Sequence, residues 1–129
     1  MVLFKSMDLR ILILSIAFSL LSYSFFTGTP AFSETYTYNG RTVSKEYFEA
    51  VNQAREASKM LRAGEYEKAE PIMRKVVEVV NDDPNILLNY ALTLVKLGKP
   101  KEAIPYYKQA IAINPNDENA WVGMAGAIS

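Results

Sequence analysis

Residues 83–117 read DPNILLNYALTLVKLGKPKEAIPYYKQAIAINPND, and the pattern of this stretch recurs on both sides of it at an offset of 34 residues. Small and helix-breaking residues mark the recurrence: Ala57 with Ala91 and Ala125, Gly64 with Gly98, Ala69 with Ala103, and Pro71 with Pro105. A period of this length is typical of arrays in which each helix pair leaves an apolar face that only a neighbouring pair covers. The sequence therefore predicts an all-α fold of antiparallel helix-turn-helix repeats.

Apolar spacing and end signals divide this region into five predicted helices. Ser44, Asp83 and Asp117 can each cap a helix N-terminus, and Pro84 suits the first position of a helix. The predicted helices run from Ser44 to Gly64, from about Tyr66 to Val80, from about Asn85 to Gly98, from about Pro100 to Ile113, and from about Glu118 onward. Because the connections are short, successive helices should pack antiparallel.

The central copy resembles a tetratricopeptide repeat. The residues that carry the resemblance are Leu87, Tyr90, Ala91 and Leu94 in the first helix, followed by Gly98, Ala103, Tyr107, Ala110 and Pro115. The copies would span about 50–83, 84–117 and, in part, 118–129. The first copy departs from the family pattern at Gln53 and Glu56, where large apolar side chains are usual, and this departure fits a terminal repeat with one face in solvent. The alternative is a helical bundle without repeats.

An uncharged apolar run occupies residues 11–26, preceded by Lys5 and Arg10. This layout is typical of an export signal, and the run is shorter than the ~20 residues that a membrane-spanning helix needs. Ala31 and Ser33 are small residues at the positions that a signal peptidase reads, so we expect cleavage before Glu34 and export to a periplasm, a lumen or the extracellular space. The alternative for residues 1–33 is an uncleaved N-terminal anchor, with residues 11–26 in the membrane.

Residues 34–43 connect this segment to the repeats, which begin at residue 44. Asn39-Gly40 lies between alternating residues and suits a tight turn, so a short β-hairpin is one prediction. An isolated hairpin is marginal in water, so Tyr36 and Tyr38 would have to lie against the first helix. A flexible linker is the other prediction.

The composition excludes several classes of function. Fourteen basic residues balance fourteen acidic ones, so there is no basic footprint for nucleic acid. The chain has no His and no Cys, which removes imidazole bases, thiol nucleophiles, disulfides and the usual zinc ligands. The acidic loop 81–85 lacks the glycine and distal glutamate of a calcium loop. We therefore expect no catalytic site, no cofactor, no metal site and no enzyme activity.

The resemblance implies an adaptor whose first helices line a concave groove for a partner peptide or helix. Carried over position by position, the groove residues are Val51, Ala54, Ser58, Leu61 and Arg62, then Asn85, Leu88, Leu92, Val95 and Lys96, then Asn119 and Val122. Ala54, Leu88 and Val122 stand where family members that grip a C-terminal carboxylate have polar residues, which argues against that mode. Asn89 matches a polar family position and is interpreted as a structural or groove residue.

The C-terminal edge is a second candidate for contacts, since Trp121, Val122, Met124 and Ile128 lie on a helix whose pairing helix is missing. We expect fraying, a homo-oligomer formed through this edge, or a missing continuation. Two alternatives to the adaptor therefore stay open. The protein is a self-associating structural module, or the repeats are the docking region of a longer envelope enzyme or assembly factor.

Overall fold

Two short strands and five helices follow one another in the computed structural model, which describes residues 34–129. They are β1 Tyr36–Tyr38, β2 Arg41–Val43, α1 Lys45–Arg62, α2 Tyr66–Val79, α3 Pro84–Lys96, α4 Pro100–Ile113 and α5 Glu118–Ile128. The predicted fold class, antiparallel helical repeats, is confirmed. The apolar run at 11–26 and the predicted cleavage site before Glu34 lie outside the described residues or at their border. Within residues 34–129, none of the helices combines the length and the apolar character that crossing a bilayer requires.

Local chemistry sets the helix ends. The Ser44 hydroxyl oxygen accepts a hydrogen bond from the Tyr47 backbone N–H at 3.1 Å, which caps α1. Asp83 and Asp117 cap α3 and α5 in the same way. Gly64 follows α1 with a φ of +77°, a conformation that is readily available only to glycine, and Gly98 repeats it after α3. The repeated glycines explain why both helix pairs turn back at the same point.

Alanines make the close packing of the helix pairs possible. Ala57, Ala69, Ala91 and Ala103 are fully buried, so the backbones of α1 and α2, and of α3 and α4, approach closely. Each helix packs mainly on its neighbours in the chain, and α3 also touches α1 and α5. The first helices of the successive repeats therefore lie side by side and form one face of the array.

The segment before α1 is a β-hairpin, as one of the two predictions for it proposed. Asn39 and Gly40 form the turn, both with positive φ, and Tyr36 pairs with Val43 across the two strands. The ring of Tyr36 lies 5.1 Å from that of Phe48, measured between centroids. Packing against α1 supplies the stabilisation that two strands alone lack in water.

The outward face of α1 is polar. Asn52, Gln53 and Glu56 stand at the positions that Ile86, Leu87 and Tyr90 hold in α3, where the apolar side chains are buried. The three polar residues line a surface pocket of about 550 Å³ together with Pro71, Ile72 and Lys75. The N-terminal end of the array therefore presents solvated side chains, which fits the terminal position of this repeat.

Candidate partner-binding groove

The face formed by α1, α3 and α5 contains two adjoining pockets. One, of about 180 Å³, is lined by Ser58, Leu61, Arg62, Asn89 and Leu92. The other, of about 380 Å³, is lined by Leu88, Asn89, Leu92, Tyr107, Asn119, Val122 and Gly123. Because both pockets share Asn89 and Leu92, they form one continuous depression with α3 at its centre. We call this depression, with its twelve different lining positions reduced to those ten residues, the groove.

Apolar side chains reach the solvent along the groove. Leu92 is 42% exposed and Val122 is 72% exposed, while Leu61 and Leu88 are half-buried. A run of accessible apolar side chains in a concavity is the usual character of a binding site rather than of an ordinary surface. The groove can therefore bury apolar groups of a ligand.

One amide lies at the middle of the groove. The Asn89 side chain donates a hydrogen bond to the Ser58 hydroxyl oxygen at 3.4 Å, and that hydroxyl donates to the Ala54 carbonyl oxygen at 2.8 Å. The longer of these bonds is near the limit for a hydrogen bond. Asn89 can therefore exchange it for a bond to a ligand at small cost.

Two cations stand at equivalent places in the repeats. Arg62 and Lys96 lie in the last turns of α1 and α3, and both are exposed. Neither makes an ion pair with another residue of the described part of the chain. Each offsets the partial negative charge at the end of its own helix. Arg62 also lines the groove, so one end of the groove is positively charged.

The hairpin covers the opposite end. Tyr38 closes a small cavity of about 150 Å³ over Val51, Ala54 and Ile86, and both Val51 and Ala54 are buried. These two residues were expected to line the groove, but the structure places them beneath Tyr38. The open groove therefore begins at Ser58.

Aspartates of the loop between α2 and α3 hold the hairpin in place. The Tyr38 hydroxyl donates to Asp83 at 2.6 Å, and Arg41 and the Tyr47 hydroxyl donate to Asp82 at 2.6 and 2.7 Å. Burial and these bonds to carboxylates raise the pKa of Tyr38, and they raise the pKa of Tyr47 to about 12. Burial would raise the pKa of Asp82, but the hydrogen bonds from Tyr47 and Arg41 outweigh it and lower that pKa.

The remaining predicted groove residues lie at the margins. Asn85 is exposed at the start of α3, where its backbone N–H donates to Asp83 at 2.9 Å. Val95 is half-buried and packs against the core, and Lys96 is exposed beside it. The structure thus brings seven of the twelve predicted residues together around the two pockets: Ser58, Leu61, Arg62, Leu88, Leu92, Asn119 and Val122.

Two groove residues were not predicted. Tyr107 and Gly123 meet at the floor of the larger pocket, and a Cβ atom added to Gly123 would lie 2.5 Å from Cε1 of Tyr107. The repeat offset aligns Gly123 with Asn89, so the pattern held a signal: a polar position becomes glycine where an aromatic ring lies beneath it. Gly123 lets α5 approach α4 closely enough to complete the groove wall.

The described residues offer little for catalysis. No three His, Cys, Asp or Glu side chains within residues 34–129 lie close enough together to hold a metal ion. The tyrosines and Asp82 with shifted pKa values belong to the anchorage of the hairpin or to helix packing. The groove itself holds apolar groups, amides and one guanidinium, which suit binding rather than proton transfer.

Stacked antiparallel helix pairs with a concave face define a class of helical-repeat proteins that bind other proteins. Residues 60–121 match the family model described as tetratricopeptide repeat. The chain is thus a tetratricopeptide repeat protein, as its central copy predicted, and a protein–protein interaction module of that family.

A solved structure of a MamA mutant has the same fold. The TM-score is 0.58 at 23% sequence identity, over 61% of this chain and 58% of that one. The chain thus spans little more than half the length of that protein, and the likeness concerns the fold alone. No curated protein matches the chain.

Proposed function

We propose that this protein is an exported, non-enzymatic adaptor that holds an apolar peptide or helix of a partner protein in the groove. The observation that carries the proposal is the row of accessible apolar side chains, Leu61, Leu88, Leu92 and Val122, that crosses three helices without interruption by a charge. Such a row matches ligands that present apolar side chains every three or four residues or at every second residue.

The energetics favour Leu88 and Leu92 as the main anchors. Full burial of a leucine side chain contributes roughly 1.5–3 kcal/mol, and a side chain that is already half-buried contributes about half of this when a ligand covers it. Leu88 and Leu92 lie one helical turn apart on α3, at the centre of the groove. A ligand that covers both would gain roughly 2 kcal/mol from these two contacts.

Polar groups would orient the ligand. Asn89 can hydrogen-bond a peptide backbone or side chain between the two leucines, since its bond to Ser58 is long. Arg62 at the end of the groove favours a ligand with an acidic residue at that end. Leu88 and Val122 supply apolar contacts where a carboxylate grip would need polar ones, so the proposed ligand is an internal or amphipathic segment.

Export is part of the proposal and depends on the N-terminal sequence. The apolar run at residues 11–26 and the small residues before Glu34 are typical of a cleaved signal. The compact unit begins at Tyr36, so cleavage before Glu34 would leave the hairpin and all five helices intact. If the signal is not cleaved, the same groove would be displayed from a membrane anchor.

A peptide-library selection tests the groove. Peptides selected on the immobilised full-length protein, or on the processed protein as isolated, should be rich in apolar residues. Their affinity, measured by fluorescence anisotropy, should fall at least tenfold in Leu92→Glu. Ile113→Glu is the matched control, because Ile113 is 44% exposed, close to the 42% of Leu92, and does not line the groove.

Circular dichroism of both variants should show an unchanged helix content and a similar midpoint of thermal unfolding. Peptides that bind Leu92→Glu as tightly as the wild type would show that the ligand lies elsewhere. If Leu92→Glu unfolds, the half-buried Leu92 belongs to the core and the assignment of the concave face is wrong. Export is tested separately, by the mass of the protein isolated from its cellular compartment.

A further inference from the structure

The outer face of α5 lacks a cover that the equivalent helices have. Ala57 in α1 and Ala91 in α3 are fully buried, whereas Ala125, at the same position of the repeat, is exposed. Among the described residues no helix precedes α1, so the helix that follows must bury Ala57. The covers are thus α2 for Ala57 and α4 for Ala91, and no helix follows α5 in the described residues.

The exposure is confined to that side of α5. Trp121 is 47% exposed and Ile128 is 64% exposed, whereas Leu87 and Leu94, their equivalents in α3, are fully buried. Ala120, on the side of α5 that faces α4, is buried like its equivalent in α3. The outer face of α5, formed by Trp121, Ala125 and Ile128, is therefore built like a helix-packing surface.

The helices that cover the equivalent faces show what this surface fits. In α4, Ala103, Tyr107 and Ala110 are buried, and in α2, Ala69, Met73 and Val76 are buried. Each set places a small residue four positions before a large one on one side of an amphipathic helix. The contact is intimate, since the ring of Tyr106 lies 4.7 Å from that of Tyr90 in an edge-to-face arrangement. A complementary helix for α5 needs the same order of small and large residues.

We propose that the outer face of α5 binds one amphipathic helix of a partner protein, in the place that α4 occupies on α3. The helix would set a small residue against Ala125 and large apolar residues against Trp121 and Ile128. This site is separate from the groove, and it does not depend on the function proposed for the groove.

The surface is prepared for such a contact. Glu118 is the only charged residue in α5, and it stands at the first position of the helix, away from the outer face. The indole N–H of Trp121 donates to the Pro115 carbonyl oxygen at 2.8 Å. Its polar atom is thus satisfied within the chain, and the apolar part of the ring can be buried at no cost in hydrogen bonds.

The chain provides both the probe and the reporter for a test. The probe is a fluorescently labelled synthetic peptide with the sequence of residues 99–114, which includes α4 and contains no tryptophan. Trp121 is the single tryptophan of the protein, so its emission reports on the outer face of α5 directly. Binding should shift the Trp121 emission to shorter wavelength and raise the anisotropy of the peptide.

Three matched changes locate the contact. Ala125→Glu and Ile128→Glu replace exposed residues, so both variants should fold, and both should weaken binding at least tenfold. Leu92→Glu, in the groove, should leave binding unchanged. A peptide in which glutamates replace the residues equivalent to Ala103 and Ala110 should not bind, because its inner face would carry charge.

Other outcomes would overturn the proposal. One is the absence of any shift in Trp121 emission at peptide concentrations up to the millimolar range. Another is binding that Leu92→Glu abolishes and Ala125→Glu does not, which would place the peptide in the groove. A third is a concentration-dependent dimer that Ala125→Glu dissociates, seen by analytical ultracentrifugation, which would show that a second copy covers this face.

Discussion

The hydroxyl of Tyr38 donates a hydrogen bond to the carboxylate of Asp83 at 2.6 Å, across 45 residues of sequence. The same carboxylate group accepts from the backbone N–H groups of Asn85 and Ile86, so it caps α3 while it holds the hairpin. One buried side chain therefore determines both where α3 begins and where the open groove ends.

Asp83→Ala should cost more stability than Asp117→Ala, which removes the equivalent cap of α5. Loss of a helix cap costs about 1 kcal/mol, and loss of the bond from Tyr38 adds roughly another 1 kcal/mol in the case of Asp83. Asp117 accepts from the Asn119 N–H and is only half-buried. We expect a difference of about 1 kcal/mol or more between the two variants in urea unfolding.

A double-mutant cycle with Tyr38→Phe separates the two roles of Asp83. Tyr38→Phe should destabilise the wild type by about 1 kcal/mol and should have little effect in the Asp83→Ala background. Equal effects of Tyr38→Phe in both backgrounds would mean that the bond contributes nothing to stability.

Gly123→Ala and Gly126→Ala should have opposite effects. A methyl group at position 123 would collide with the buried ring of Tyr107, whereas nothing lies within 4 Å of a Cβ atom at position 126. We expect Gly123→Ala to displace α5 and to cost about 1–3 kcal/mol, as overpacking usually does. Gly126→Ala should stabilise the helix by up to about 1 kcal/mol. Hydrogen exchange of α5 measures both effects, and increased protection of α5 in Gly123→Ala would contradict the packing described.

The anchorage of the hairpin should be pH-dependent at both extremes. Asp82 faces Arg41 and Tyr47, and its pKa in the folded protein lies below the ordinary 3.8, so its contribution to stability is complete above about pH 4. That contribution is lost as the pH falls through the lowered value. Tyr47 behaves in the opposite sense: its contribution is complete below about pH 10 and is lost as the pH rises through about 12.

Hydrogen exchange and near-ultraviolet circular dichroism of the hairpin tyrosines can follow this behaviour. Because Arg41 and Asp82 are more than a third exposed, we expect a change below about 1 kcal/mol at the acidic end. Asp82→Asn should remove the acidic dependence of hairpin docking. A dependence that persists in this variant would belong to another carboxylate, with Asp83 the nearest.

The mature chain should begin near Glu34. The apolar run at residues 11–26 is short for a membrane span, and small residues precede Glu34. Intact-mass measurement of the exported protein checks this directly. Detection of residues 1–33 in a membrane-bound form would favour the anchor.

Periodicity made the helices predictable. Ala57, Ala91 and Ala125 recur at one offset because each repeat must solve the same packing problem, so a single chain contains its own comparison. Asp83, Asp117 and the glycines after α1 and α3 added the boundaries, because caps and positive-φ positions depend on only a few residues of local sequence.

Contacts that occur once could not be found in this way. The hairpin has no counterpart at the 34-residue offset, so no pattern indicated that Tyr38 would cover Val51 and Ala54. Gly123 was interpreted as a residue that weakens α5, and its close approach to Tyr107 became visible only when both helices were placed. Sequence reasoning located the groove by its repeated positions and missed its two ends, which are not repeated.

The two ends of the array also differ in what an engineer could add to them. Asn52, Gln53 and Glu56 give α1 a polar outer face, and the hairpin is fixed in front of it, so a repeat grafted before Ser44 would have no surface on which to stack. The outer face of α5 offers alanine, tryptophan and isoleucine to an incoming helix. Lengthening of this protein by design is thus a one-way construction, with each new module placed on the C-terminal side.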